Sequence, residues 1–330
     1  MLKDVIYIEE GILDSDVTKS IIKNIGAETI IPIRHYKDIF NQSGSNWRLQ
    51  KQSQKIILAK RTDNFLYKGA DITPDFGFKH FYYNTPALNC IYDCDYCYLQ
   101  GMFTSPHLVL FVNNNDFIKA AKLEAEIIKE PFYLALSYDT DLLALEHFYP
   151  YCAEWISFAK SVHNLTIEIR TKSVNINAIK HIEPWNNTIL AWTLSPQEII
   201  NKFEPKTPNI KGRNKAIQTA IKLGWRVRIC FDPILHVPDW KNIYMKMIDE
   251  LENEVNLNDV DSYSLGTFRM NNTFLKNIQN QRKDTPILFD KYVLNNEVAT
   301  YNDDKKNVLL SFVRDLLLAK NVTKEIALMQ

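Results

Sequence analysis

Asn89-Cys90-Ile91-Tyr92-Asp93-Cys94-Asp95-Tyr96-Cys97-Tyr98 places three of the chain's five cysteines within eight residues, at the spacing C-x3-C-x2-C. An odd total with a clustered trio argues against a secreted disulfide framework and for a metal site in a reducing compartment. Three thiolates so spaced can wrap one loop around a [4Fe–4S] cubane and ligate three of its irons, leaving the fourth open. An open metal position is what a catalytic centre needs and a structural one does not. Zinc is the competing reading: three thiolates with a histidine, Cys152 or Cys230 would close a tetrahedron. Zinc ribbons usually carry two separated C-x2-C pairs, and no second pair exists here. Cys152 lies on a helical pattern and Cys230 in an apolar strand, where each reads as a core thiol.

Around the loop, short β-rich runs alternate with longer helical stretches. A strand at Val5–Glu9, a helix near Asp16–Ile25 and a strand at Thr29–Pro32 open the chain. A basic stretch from Trp47 to Arg61 follows and reads as a solvated face around an apolar centre, Ile56-Ile57-Leu58. From His80 onward the strand candidates are Phe81–Tyr83, Leu108–Val112, Phe132–Leu136, Thr166–Ile169, Ile189–Thr193, Val227–Phe231 and Ser262–Leu265. Helices are expected near 116–129, 143–162, 174–182, 211–223 and 238–254. Apolar strands separated by helices describe βα units around a parallel sheet. The expectation is an α/β fold with a partial, open (βα)6 TIM-like barrel over 76–270. A small N-terminal α/β segment over 1–75 and a C-terminal, substrate-side extension over 271–330 flank it. Chemistry in such a barrel belongs at the C-terminal strand ends.

No apolar run approaches the roughly 18 residues of a membrane span. Met1-Leu2-Lys3-Asp4 has an acid where a secretory signal would turn apolar, so the cytoplasm is the expected location. The formal net charge is zero, yet residues 71–199 hold 8 Lys+Arg against 15 Asp+Glu. A polyanion would therefore meet mainly the two ends of the chain.

The motif C-x3-C-x2-C after a strand resembles that of the radical S-adenosylmethionine (SAM) superfamily. The string Cys94-Asp95-Tyr96-Cys97-Tyr98-Leu99-Gln100 looks like the spore photoproduct lyase family. The likeness runs through Ala59-Lys60-Arg61, Phe203-Glu204-Pro205, Thr207-Pro208, Pro233-Ile234 and Asp239-Trp240. It implies an open radical SAM barrel and a [4Fe–4S] cluster on Cys90, Cys94 and Cys97. It also implies SAM cleaved to a 5′-deoxyadenosyl radical and a carbon–carbon lyase that repairs the UV-induced thymine dimer of spore DNA. It matches Thr140, Asp141, Lys172 and Thr193 to the methionine part of SAM, and Asp232 to the neighbourhood of its adenosine. Tyr96 and Tyr98 match tyrosines that relay the radical back to SAM. Arg269, Lys291 and Tyr292 are candidates for phosphate contact and base stacking. The implied partners are damaged DNA and an external electron donor such as flavodoxin or ferredoxin, with the chain a monomer.

One position departs from the family pattern. Two residues before Thr140, the family carries a hydrogen-donating cysteine, and this chain has Tyr138. Either Tyr138 or another donor serves the same repair, or the SAM machinery acts on a different nucleic-acid or other substrate. A non-catalytic, metal-bound nucleic-acid-binding module is the third reading.

Overall fold

The computed structural model describes residues 5–42, 44, 46–69 and 76–329. They form two compact units, Met1–Ile91 with Met102–Ile169 and Tyr92–Gly101 with Arg170–Gln330. This division runs through the expected barrel segment rather than along its ends. The expectation drawn from Met1–Asp4 falls outside the described residues.

The first unit contains β1 (Val5–Glu9), β2 (Thr29–Ile33), β3 (Ile56–Ala59), β4 (Tyr67–Lys68), β5 (His80–Tyr83), β6 (Ala87–Leu88), β7 (Leu108–Phe111) and β8 (Phe132–Leu136). It also holds most of β9 (Leu165–Thr171). The helix Asp16–Ile25 starts where the Ser15 hydroxyl accepts from Thr18 N at 3.1 Å, and stops at Gly26, whose φ of +68° suits glycine. Five strands make one sheet in the order β2-β1-β3-β7-β6, parallel except between β6 and β7.

Leu108–Val112 is not a barrel strand, because β7 pairs with β3 from Ile56↔Leu108 to Ala59↔Phe111. A fully apolar run suits the centre of any parallel sheet, so its composition could not say which. The basic stretch keeps Arg48 and Lys60 exposed around its buried apolar centre, and Lys51 is the exception. Trp47–Gln52 is a helix, β3 is buried along its length, and Lys51 is 2% exposed, its Nζ donating to the Cys90 carbonyl at 2.5 Å.

A second set in this unit runs β4-β5-β8-β9, with β5, β8 and β9 parallel in chain order. The helix Asn114–Ile128 leads into β8. The expected helix 143–162 is two pieces, Leu142–Leu145 and Tyr151–Ala159, broken where Pro150 has no N–H to donate.

In the second unit β10 (Thr188–Thr193), β11 (Arg226–Ile234), β12 (Ser262–Thr267) and β16 (Glu325–Met329) lie side by side and parallel. Helices Ile210–Lys222, Trp240–Glu254 and Asp303–Ala319 connect them. The expected helix 174–182 shrinks to a single 3-10 turn, Ile176–Ala178. β13 (Arg269–Asn271), β14 (Val293–Asn295) and β15 (Val298–Thr300) form a small antiparallel sheet in the order β13-β15-β14. The parallel strands β5, β8 and β9 of the first unit and β10, β11 and β12 of the second follow chain order, the winding of a βα partial barrel. No helix among the described residues is long and apolar enough to cross a membrane.

Candidate active site

In the second unit the cysteine loop is shaped by its own backbone and by a neighbouring turn. Cys97 N donates to Cys94 O at 3.0 Å, closing the C-x2-C turn. Asp95 N and Asp93 N donate to the carbonyls of Phe203 and Pro205 at 2.8 and 3.1 Å. The loop is thus pinned to the end of the helix Gln197–Phe203. Cys90 belongs to the first unit, where Gln54 joins Lys51 in donating to its carbonyl, at 3.0 Å. Just before it, Asn89 bonds the carbonyls of Ser105 and His107, each at 2.8 Å, from a left-handed φ of +65°. None of the five cysteines is in a disulfide.

Beside the loop lies an ionic network within the second unit, with Glu204 and Arg213 buried at its centre. The Tyr96 hydroxyl donates to Glu204 Oε1, which also accepts from Ser195 Oγ at 2.7 Å. Arg213 Nη2 donates to the other oxygen of Glu204 at 2.5 Å and to Thr207 Oγ1 at 2.7 Å. Lys172 follows β9 directly and holds its ammonium 5.6 Å from the centre of the Tyr96 ring. Burial pushes the Glu204 carboxyl up, but Lys172, Arg213 and the Tyr96 hydrogen bond outweigh it and hold it at about 2. Burial pulls the Lys172 ammonium down, and Glu204, Cys94 and Cys97 reverse that, leaving it above its ordinary value. Tyr96 is raised by burial first and then by Glu204, so its phenol keeps its proton.

The other residues anticipated at strand ends divide between the units. Thr193 closes β10, and its carbonyl accepts from Arg213 Nη1 at 3.1 Å. Asp232 lies in β11 and takes both Arg269 Nη1 and Nη2 at 2.9 Å, with Arg170 at 3.7 Å. Burial raises Asp232, but the Arg269 charge and hydrogen bonds turn the shift downward. Arg269 is therefore ion-paired with Asp232 while its side chain stays partly exposed. The Tyr292 ring stacks on Phe268 at 4.5 Å and its hydroxyl donates to the Ile287 carbonyl, so it packs the hairpin. Lys291 is exposed, and the Tyr98 carbonyl accepts from Gly101 N at 2.9 Å.

In the first unit, β5 and β8 end together. Ser137, at φ +61°, bonds through its N–H to Asn84 Oδ1 at 3.0 Å, and Tyr138 N reaches Asn84 O at 3.2 Å. The Tyr138 ring is 40% exposed and 5.0 Å from that of Tyr83. Asp141 caps the short helix Leu142–Leu145 by accepting from Ala144 N at 3.1 Å. Among the described residues three buried polar atoms at this strand end find no hydrogen-bond partner: Asn84 Nδ2, Ser137 Oγ and Thr140 Oγ1. Buried polar groups cost free energy unless partnered, so orphans gathered at a strand end suit a polar ligand.

The donor chemistry fits the groups expected here. Thiols are the ligands an iron–sulfur cluster takes, and the orphaned atoms suit the polar parts of SAM. Among the described residues no three His, Cys, Asp or Glu side chains are gathered as for a single ion. Glu204 stood out in the sequence only as part of a recognisable string, and Arg213 did not stand out. A buried charge leaves no periodic signal: Glu204 and Arg213 stand nine residues apart, and Tyr96 lies 108 residues before Glu204.

A family model of spore photoproduct lyase matches residues 1–305. No curated protein sequence matches significantly. Among solved structures, a spore photoproduct lyase variant with bound AdoMet and dinucleoside spore photoproduct superposes with a TM-score of 0.85 at 17% identity, covering 99% of this chain and 98% of that one. A spore photoproduct lyase complexed with the dinucleoside photoproduct gives a TM-score of 0.86 at 16% identity over 98% of both chains. Streptococcus suis SuiB bound to precursor peptide SuiA aligns at 0.51 and 9% identity, over 76% of this chain and 48% of that one. These likenesses show the fold, and the family match spans nearly the whole sequence: the chain belongs to the spore photoproduct lyase family of radical SAM enzymes.

Proposed function

We propose that the chain repairs a methylene-bridged thymine dimer in DNA, with Cys90, Cys94 and Cys97 holding a [4Fe–4S] cluster and SAM as co-substrate. The cluster, when bound, supplies the electron that cleaves SAM to a 5′-deoxyadenosyl radical. Thr140 and Asp141 are assigned to the SAM ammonium, Lys172 to its carboxylate, and Thr193 and Asp232 to its surroundings. A compact ammonium suits a carboxylate, and a hydroxyl with a carboxylate suits an ammonium. Tyr138 is assigned to return a hydrogen atom to the substrate radical: its O–H bond breaks and a C–H bond forms, leaving a phenoxyl. Tyr96 and Tyr98 are assigned to pass that radical on. Tyr96 is suited to the task because Glu204 fixes its hydroxyl and burial keeps the proton in place.

The observation that carries this reading is the Tyr96–Glu204–Lys172 set beside Cys94 and Cys97, in a chain matched by the family over residues 1–305. A second reading keeps the SAM chemistry and changes the substrate; Tyr138 in the cysteine position favours it. Damaged DNA, an external reductant such as flavodoxin or ferredoxin, a single copy of the chain and a cytoplasmic setting complete the proposal. Its test is anaerobic turnover of a dinucleotide carrying the lesion, with SAM and reductant. Thymidylyl-thymidine over many turnovers is the expected product. Cleavage of SAM without any repaired dinucleotide would turn the assignment to the second reading.

A further inference from the structure

Arg282 ends the helix Asn272–Gln281, in the segment expected to face substrate, yet it is 4% exposed. Its guanidinium reaches back across the sequence into the cysteine loop of the same unit. Nη2 donates to Asp93 Oδ1 at 2.5 Å, Nη1 to Asp95 Oδ1 at 2.6 Å, and Nε to Gln100 Oε1 at 2.5 Å. Gln100 in turn donates through Nε2 to the Cys94 carbonyl at 2.6 Å. Thr285 Oγ1 donates to the second oxygen of Asp95 at 3.1 Å. Asn277, on the same helix, donates to the Gly101 carbonyl at 2.9 Å. One planar fork thus holds the carboxylates on both sides of Cys94, and through Gln100 the Cys94 carbonyl itself.

We propose that Arg282 is a positioning residue for the iron–sulfur loop, fixing the Cys94–Cys97 turn so that its thiols are set before the cluster arrives. The geometry calls for arginine. Three donors diverge from one plane onto three separate acceptors, which a single ammonium cannot match. The two carboxylates need it as well, because without a countercharge they would face each other across a metal-binding turn already rich in thiolate. Groups one shell beyond a ligand orient it and tune the metal it holds. The C-terminal segment would then serve the cluster as well as the substrate.

This inference rests on the cluster assignment, and the experiment separates the two. Wild type, Arg282→Lys and Thr285→Val are reconstituted anaerobically, and iron and sulfide per chain are measured. Cluster loss to a chelator and the electron paramagnetic resonance of the reduced cluster are then followed. Circular dichroism and thermal unfolding of the metal-free chains report the fold. Arg282→Lys should keep the metal-free fold but lose its cluster about ten-fold faster, with altered g-values. Thr285→Val, which spares the guanidinium, should move both readouts the same way by less. Wild type without iron and sulfide would sink the cluster assignment itself. Wild type with a cluster, and folded variants that hold it as long and with the same spectrum, would overturn the role of Arg282. Should Arg282→Lys fail to fold, Thr285→Val decides: an unchanged loss rate overturns the role, and a faster one supports it.

Discussion

Replacing Arg213 by methionine should destabilise the protein more than any surface change, and the structure sets the scale. The Arg213 and Glu204 side chains are both fully buried, and the guanidinium also serves Thr207 and the carbonyls of Pro208 and Thr193. Removing one partner of such a pair costs about 3–5 kcal/mol, because the other charge stays buried without it. Lys172 faces the same carboxylate and is the larger of the two charges lowering it, so the loss falls near the lower end. A second route gives a similar size. Holding Glu204 at about 2 rather than its ordinary 4.5 corresponds to about 3 kcal/mol left over after its partners have offset the cost of burial. Because the folded value is depressed, this stabilisation is complete above pH 4.5 and drains as pH falls towards 2. Total stability is on the order of 5–15 kcal/mol, so the change is large. Urea unfolding of the metal-free chain, followed by circular dichroism at pH 7 and pH 3, measures it. Arg213→Met should unfold about 3 kcal/mol more easily at pH 7 and lose less on acidification than wild type. Adding Glu204→Leu should return part of the loss, since the bare carboxylate is then gone. A cost below about 1 kcal/mol at pH 7 would refute the reasoning.

Tyr138→Phe should leave SAM cleavage intact while abolishing dinucleotide repair, whereas Tyr138→Cys should match or improve repair; equal repair by all three proteins would remove Tyr138 from the donor role. His107 is pulled from 6.5 to about 4, by burial first and then by Lys55 and Lys51, so stability should fall as pH drops from 6.5 towards 4. His107→Gln should flatten that part of a pH–stability profile, and an unchanged slope would contradict it. A Cβ at Gly101 would lie 2.3 Å from the Phe274 carbonyl oxygen, so Gly101→Ala should cost about 1–3 kcal/mol in urea unfolding, against no measurable change if the close approach is not real.

Much of the fold was legible because it is written locally. β8, β9, β10, β11 and β12 lie where buried apolar runs pointed, and Ser15 and Gly26 bracket the first helix as capping chemistry requires. What local pattern does not encode was missed. β7 has the composition of a barrel strand, and only its pairing with β3 assigns it to the other sheet. Lys51 reads as solvated charge until the Cys90 carbonyl is seen to receive it. The helices Asn272–Gln281 and Asp303–Ala319 and the strand β16 lay in a segment read only for its basic and aromatic residues. At the site, the spacing of the cysteines and the strand-end positions of Thr193 and Lys172 came from sequence. Arg269 reads in the sequence as a phosphate contact, and its ion pair with Asp232 through both Nη1 and Nη2 left no sign there. Partners separated by tens of residues in the chain leave no mark on spacing or periodicity.

In the proposed function the thiols of Cys90, Cys94 and Cys97 hold a redox cluster that leaves room for SAM. Anaerobically purified and reconstituted protein should contain about four irons and four sulfides per chain. It should release 5′-deoxyadenosine from SAM under strong reductant, and lose both properties when any one of the three cysteines becomes alanine. Zinc in place of iron and sulfide, with no deoxyadenosine formed, would contradict it.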